Sequence, residues 1–222
     1  MFYRLILIFI LATLPCEGTS GPWLHEKGSS FTAVSLAATY TLETTTQTYI
    51  EYGFSNQMTL IGDINLARRQ YLPGTGAATF SFRRALSAAD APAKWAYEIG
   101  IGASWDGAQT QPHIRTALSW GRGTTWGERS GWVTVEGAMI WDLAQAAHVA
   151  KLDTTIGVSL GDKSKGMLQL YTAHMGGKIT ATLAPSFIFK PESTKFSVFI
   201  GAESRIGQLD DTALKFGIWR DF

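Results

Sequence analysis

An alternation of apolar and polar residues, with a period of two, runs from about Ser29 to Phe222. Successive side chains of a β-strand point to opposite faces, so this period predicts strands, and no helical period persists beside it. Residues that favour turns separate the runs, as at 55–57, 161–164 and 192–194. Short connections make hairpins, so we expect consecutive strands to pair in antiparallel order.

Twelve such runs can be counted, and an even number is typical of single-chain bacterial barrels. Without its first 18 residues, which are discussed below, the chain has roughly 204 residues. Divided over ~12 strands, these give ~17 residues for one strand and its connection, which suits such a barrel. The runs cover residues 30–40, 46–54, 59–69, 78–86, 94–105, 112–121, 132–141, 148–160, 166–174, 179–189, 195–204 and 212–222.

Aromatic residues separate a membrane barrel from the alternative, a soluble β-sandwich with an aromatic core. One face of the run from Trp95 to Trp105 is apolar and has tryptophan at both ends. At ~3.3 Å per residue and a tilt near ~40°, this run spans about 25 Å, the height of a lipid-facing band. Aromatic rings collect at membrane interfaces. We therefore predict two girdles, made of Phe54, Trp95, Trp120, Phe189, Phe196 and Phe222 at one end and Tyr40, Trp105 and Trp141 at the other.

The opposite face of the same runs carries nearly all of the charge. A charged side chain facing lipid near the midplane costs on the order of 2–4 kcal/mol for Arg or Lys, so these residues are expected inside the barrel. The fold predicted for residues 29–222 is a single all-β domain, a transmembrane antiparallel up-and-down barrel of about 12 strands. The predicted lumen-lining residues are Glu51, Asp63, Asn65, Arg69, Arg83, Glu98, Arg115, Glu136, Lys151, Asp153, Gln169, Glu203 and Lys215.

The first residues are typical of an export signal. Arg4 precedes an apolar stretch of about ten residues, too short for a transmembrane helix, and small residues follow it. We expect a signal peptide over residues 1–18 and a short periplasmic segment over 19–28. Cys16 also permits a lipoprotein, but Thr13, Leu14 and Pro15 are poor residues before a lipidated cysteine.

The formal net charge of the chain is +1, so the sequence predicts no strongly basic surface for binding nucleic acid. Pro185 lies inside a predicted strand although it has no N–H to donate, so we expect a bulge or irregular pairing there.

The C-terminal strand resembles that of bacterial outer-membrane proteins. Leu214, Phe216 and Ile218 alternate with polar positions, and the chain stops on Phe222. The hairpin at residues 49–60 is similar to one in small proteobacterial outer-membrane proteins. The resemblance implies an integral outer-membrane location, contact with outer-membrane lipids, and Phe222 as part of the signal read by the barrel-assembly machinery. It implies no particular solute or reaction.

Catalytic chemistry finds little support in the sequence. Outer-membrane phospholipases have a serine two residues after the catalytic histidine, whereas Arg115, Ala150 and Gly176 follow His113, His148 and His174 at that spacing. His25 lies in the predicted N-terminal segment. We expect no catalytic residue, no metal site and no cofactor, although a triad assembled across strands stays open.

The leading functional hypothesis is a narrow porin-like channel for small polar solutes or ions. Twelve strands fall between barrels of eight, which side chains fill, and barrels of 16–18, which leave an aqueous channel. The alternatives are a lipid hydrolase or acyltransferase of the outer membrane and a structural envelope barrel with a plugged lumen. Arg69, Arg83 and Arg115 either set the field of an open pore or are paired with Glu51, Asp63 and Glu98 in a plug.

Overall fold

The protein folds into one closed barrel of twelve antiparallel strands. The computed structural model describes residues 21–69, 74–107, 109–144, 147–192 and 194–222; the predicted signal peptide, with Cys16, and Ser193 of the predicted turn at 192–194 lie outside these residues. Each strand pairs with its neighbour along the chain, and β1 pairs with β12 to close the sheet. The strands are β1 (Ser30–Thr39), β2 (Thr44–Ser55), β3 (Met58–Arg68), β4 (Thr75–Ala85), β5 (Ala93–Asp106), β6 (Gln109–Trp126), β7 (Arg129–Asp142), β8 (His148–Gly161), β9 (Ser164–Met175), β10 (Lys178–Phe189), β11 (Phe196–Arg205) and β12 (Gln208–Asp221).

The predicted fold class and strand number are confirmed, but several strands are longer than the alternation suggested. The largest difference is in β6, which has 18 residues where the sequence predicted 112–121. Pairing of β6 with β7 continues to Trp126 opposite Arg129, around a turn in which Gly127 has a positive φ of 65°. Residues 122–126 lack apolar alternation because this hairpin continues past the apolar belt.

The outer surface of the barrel is apolar. Large apolar side chains point away from the lumen on strands all around the barrel, among them Ile101, Leu118, Ile200 and Phe216. The Ile101 side chain is 68% exposed. Closure of the sheet satisfies the backbone groups that lipid cannot solvate, and it removes free strand edges. This belt and the closed sheet make the protein a membrane-spanning β-barrel. No helix in the described ranges is long and apolar enough to cross a bilayer.

Pro185 interrupts pairing on one side of β10. It is paired in register with Leu168 of β9, but the ladder to β11 stops after Leu183–Ser204 and resumes at Ser186–Gly201. The register is the same on both sides of this gap, so no residue is inserted and the predicted bulge does not form. The expected irregular pairing is present, because proline has no N–H to give to the ladder.

The start of β1, the end of β12 and the β2–β3, β4–β5, β6–β7, β8–β9 and β10–β11 connections lie at one end of the barrel, here named the proximal end. A buried apolar cluster lies inside this end. It consists of Trp132, Met167, Ile188 and Phe199, with Trp23 and Trp219 packed against it. Trp23 belongs to the segment 19–28, which the sequence predicted as a short periplasmic segment. Residues 21–28 fold back into the lumen, and they are named the strap below.

Candidate functional site: the barrel lumen

A cavity of about 450 Å³ occupies the lumen above the apolar cluster. Its size falls in the usual range for small-molecule sites. Eleven of the thirteen predicted lumen residues line it: Asp63, Asn65, Arg83, Glu98, Arg115, Glu136, Lys151, Asp153, Gln169, Glu203 and Lys215. Glu51 lies beside them and is 1% exposed. Arg69 lies elsewhere, because β3 ends at Arg68 and the exposed Arg69 side chain follows it.

Five charged side chains from β2, β4, β5, β6 and β7 form a continuous ladder with alternating sign. Arg83 donates to Glu51 at 2.6 Å and to Glu98 at 3.0 Å. Arg115 donates to Glu98 at 2.9 Å and also to Glu136. Arg83 is 2% exposed, so its guanidinium group is almost entirely buried at the edge of the cavity. Inward arginines are therefore paired with carboxylates, which was one of the two arrangements left open by the sequence.

Hydroxyl groups complete this ladder. Tyr49 donates to Glu51 at 2.5 Å, Ser81 to Glu98 at 2.8 Å and Ser119 to Glu136 at 2.9 Å. Buried carboxylates need such partners because an unsatisfied charge in a low-dielectric site is costly. The ladder is therefore a hydrogen-bonded wall of the lumen, in which the buried Arg83 Nε has no hydrogen-bond partner.

The remaining charges of the cavity are more loosely held. Lys151 lies 3.3 Å from Asp153, and Lys215 lies 3.5 Å from Glu203. Asp63 accepts hydrogen bonds from Gln47 at 3.3 Å and Asn65 at 3.0 Å. Among the described residues, no cationic side chain lies within ion-pair distance of Asp63.

The strap crosses the lumen from the wall made by β6 and β7 to the wall made by β2 and β3. Gly21 lies against Thr134 of β7 and is itself part of the cavity lining. At the other wall, His25 Nε2 is 2.7 Å from Glu51 Oε2, and the His25 backbone N–H donates to Thr59 Oγ1 at 3.1 Å. Glu51, the first residue of the charge ladder, therefore also holds the strap.

Two inward glycines make room for the strap. A Cβ at Gly121 would lie 2.7 Å from the Trp23 ring and 2.8 Å from Pro22. A Cβ at Gly53 would overlap the backbone carbonyl of Glu26. Larger residues at these positions would force the strap away from the wall.

The floor of the cavity is aromatic, which the sequence analysis missed. Phe31, Met167, Phe199 and Trp219 all line the cavity on its proximal side. The centroid of the Trp219 ring lies 6.1 Å from the centroid of the Phe31 ring and 5.4 Å from that of the Phe199 ring. Strand parity could have revealed this floor, because these residues share the face that carries Lys215 and Glu203. The sequence analysis named only charged and amide residues for the lumen, so these apolar residues of the same face were left out.

The histidines occupy four different settings. His25 binds Glu51 in the strap, His148 lies against Trp141 with ring centroids 5.9 Å apart, and His174 lies near the distal end of β9. His113 is 5% exposed and lies 3.0 Å from the Thr79 hydroxyl, across Gly102. The His113 side chain itself is outside the cavity lining, whereas Thr79 lines the cavity. Within the described residues, no group of three His, Cys, Asp or Glu side chains is arranged to hold a metal ion.

The residues of the predicted girdles lie near the two ends of the barrel, on strand ends or just beyond them, with Trp120 further inside β6. Trp95 faces Trp120 directly across β5 and β6, and the Trp105 ring covers Gly76 of β4. Most of these rings are exposed on the outside, and Trp105 and Trp120 are half-buried.

Comparisons with known proteins identify the fold. No family model and no curated protein matches the chain. Solved structures of similar shape include the KdgM porin, with a TM-score of 0.60 and 10% identity over 87% of this chain and 99% of that one. An outer membrane channel from Pseudomonas putida F1 has a TM-score of 0.58 and 10% identity over 93% and 100% of the two chains. The NanC porin has a TM-score of 0.56 and 12% identity over 86% and 98%. The chain thus has the fold of integral outer-membrane channel barrels.

Proposed function

We propose that this protein is a narrow outer-membrane channel for small polar solutes or ions, and that the strap is its gate. The observation that carries the proposal is the polar cavity of about 450 Å³ inside a closed twelve-strand barrel. The barrels of similar fold are porins and a channel, which supports the same class of function. Outer-membrane lipids would surround the apolar belt, and the assembly machinery would insert the barrel.

The lumen suits a small solute because side chains already fill much of its cross-section. The charge ladder covers one wall, and the aromatic floor extends from the opposite one. Twelve strands alone would leave a passage narrower than that of porins with 16–18 strands. The side chains of the wall therefore limit the size of the solutes that can pass.

The strap closes the proximal end through few contacts. It is held there by the His25–Glu51 pair, the packing of Trp23 and a small number of backbone hydrogen bonds. The strap lies outside the strand ladders, which begin at Ser30, and Glu26, Lys27 and Gly28 are exposed. It can therefore leave the wall without breaking the sheet, and its displacement would open the proximal end.

Conductance in planar bilayers tests both parts of the proposal. The wild-type protein and a variant lacking residues 22–27 are refolded, and heat-modifiable gel migration verifies that both form closed barrels. We expect small and intermittent currents from the wild type and larger, steadier currents from the deletion variant. Folded barrels that are silent in both forms would exclude the channel, and equal currents would exclude the gate.

A further inference from the structure

The cavity above the strap carries an uneven set of charges. Its lining contains five carboxylates and four cationic side chains, and the buried Glu51 beside it is a sixth carboxylate. Arg83 and Arg115 are shared among the three glutamates of the ladder, of which Glu51 also contacts His25, and each lysine has its own carboxylate. Among the described residues of this group, Asp63 is the carboxylate with no cationic side chain within ion-pair distance. It is held in position by two amides, which orient its oxygens but do not neutralise its charge.

The cavity that Asp63 lines also has a floor rich in aromatic rings. Phe31, Phe199 and Trp219 form a group of contacting rings that faces the cavity, with Met167 beside them. Tyr171 also lines the cavity, and its ring already has the Lys215 ammonium 6.0 Å from its centroid. Aromatic faces attract ammonium groups, and they pack against flat apolar groups.

From this combination we infer that the cavity binds small organic cations, molecules with one ammonium group and an aromatic or aliphatic body. Asp63 would pair with the ammonium group, and the Phe199–Trp219 floor would hold the apolar body. Anionic solutes meet the surplus carboxylate instead of a free cation, because both inward arginines are already neutralised. This inference rests on the proposed function, since it names the solute class of the same lumen.

The ligand class inferred for this lumen differs from the ligand of one barrel of similar fold. The KdgM porin has been solved in complex with disordered oligogalacturonate, which is an acidic sugar oligomer. An anionic ligand of that kind would need unpaired guanidinium or ammonium groups along the wall. In this chain both arginines of the ladder are paired with Glu51, Glu98 and Glu136.

Calorimetry on the refolded full chain in detergent tests the ligand class without any need for conduction. The probes are phenethylammonium and phenylpropanoate, which share a phenyl ring and a two-carbon linker but carry opposite charges. Ethylammonium serves as a cation without the ring. We expect phenethylammonium to bind about tenfold or more tightly than either of the others, the size of effect that one well-placed ion pair or cation–π contact gives.

Two variants assign the contacts. Asp63→Asn keeps the size of the side chain and its amide neighbours but removes its charge, so phenethylammonium affinity should fall about tenfold. Trp219→Leu keeps the floor apolar but removes the ring, and it should reduce the preference for phenethylammonium over ethylammonium. Asp162→Asn, in the exposed β8–β9 turn, is the matched control and should bind like the wild type.

Three results would overturn the inference: binding of phenylpropanoate as tightly as phenethylammonium, an unchanged affinity in Asp63→Asn, or no binding of any probe. Failure of the channel itself is recognised separately, because folded barrels that bind phenethylammonium but pass no current would leave this inference intact and exclude conduction.

Discussion

The backbone carbonyl of Glu26 lies directly over Gly53, so closely that no Cβ fits between the strap and strand β2. Nearby, the Gly28 N–H donates to the Gly53 carbonyl at 2.8 Å, and the Gly53 N–H donates to the Ser29 carbonyl at 2.9 Å. The strap is thus anchored at a position where one methyl group would disturb it.

Replacement of Gly53 by alanine should therefore open the channel. The added methyl group displaces the Glu26 carbonyl and weakens the His25–Glu51 contact, so the mean current in planar bilayers should rise above that of the wild type. Gly62→Ala is the control, because a Cβ at Gly62 meets nothing within 4 Å. Equal currents in the wild type, Gly53→Ala and Gly62→Ala would contradict the gating role.

A disulfide across the strap should lock the channel shut. A Cβ on Gly21 would lie 3.1 Å from Thr134 Cγ2, so a sulfur at the Cγ2 position would be within reach of a sulfur attached to that Cβ. In a Cys16→Ser background, oxidised Gly21→Cys/Thr134→Cys should pass little current, and reduction should restore it. Each single cysteine variant should be insensitive to oxidation, and a fully conducting oxidised double variant would show that solutes pass with the strap in place.

Loss of Arg83 should destabilise the barrel instead of retuning an open pore. Arg83→Gln leaves Glu51 and Glu98 buried without their shared cation, and breaking such a pair costs about 3–5 kcal/mol. The urea midpoint of unfolding in lipid vesicles should fall accordingly, and further in Arg83→Gln/Arg115→Gln. Arg129→Gln, an exposed arginine at the start of β7, should leave it unchanged. A double variant as stable as the wild type would show that the ladder contributes nothing to folding.

Removal of Phe222 should lower the yield of inserted barrel. The Phe222 N–H donates to the Ser30 carbonyl at 2.8 Å and its carbonyl accepts from Ser30 at 3.3 Å, so the last residue extends the closing β1–β12 seam. The ring is 61% exposed, so its burial within the barrel contributes little. Heat-modifiable protein in outer-membrane fractions should decrease for the deletion but be retained in Phe222→Tyr, which keeps the ring and the seam. Equal yields of the deletion variant and the wild type would argue against recognition of this residue during assembly.

Much of the architecture could be predicted from the sequence because a strand decides locally which face each side chain occupies. The period of two separates Ile99 and Ile101 from Glu98 without knowledge of any partner strand. Tryptophans at the two ends of one face of β5 give the height of the belt in the same way. Strand number and order follow, since short turns leave consecutive strands little choice but to pair as hairpins.

The tertiary structure decided what lies inside the barrel. Glu51, Arg83 and Glu98 come from β2, β4 and β5, and only the register across those strands brings them within hydrogen-bonding distance. The strap has no periodic pattern, and it reaches the lumen because Gly53 and Gly121, far apart in sequence, leave space on facing walls. A local pattern specifies which side a residue faces, whereas the pairing of charges and the filling of a cavity depend on distances between strands that closure of the sheet alone sets.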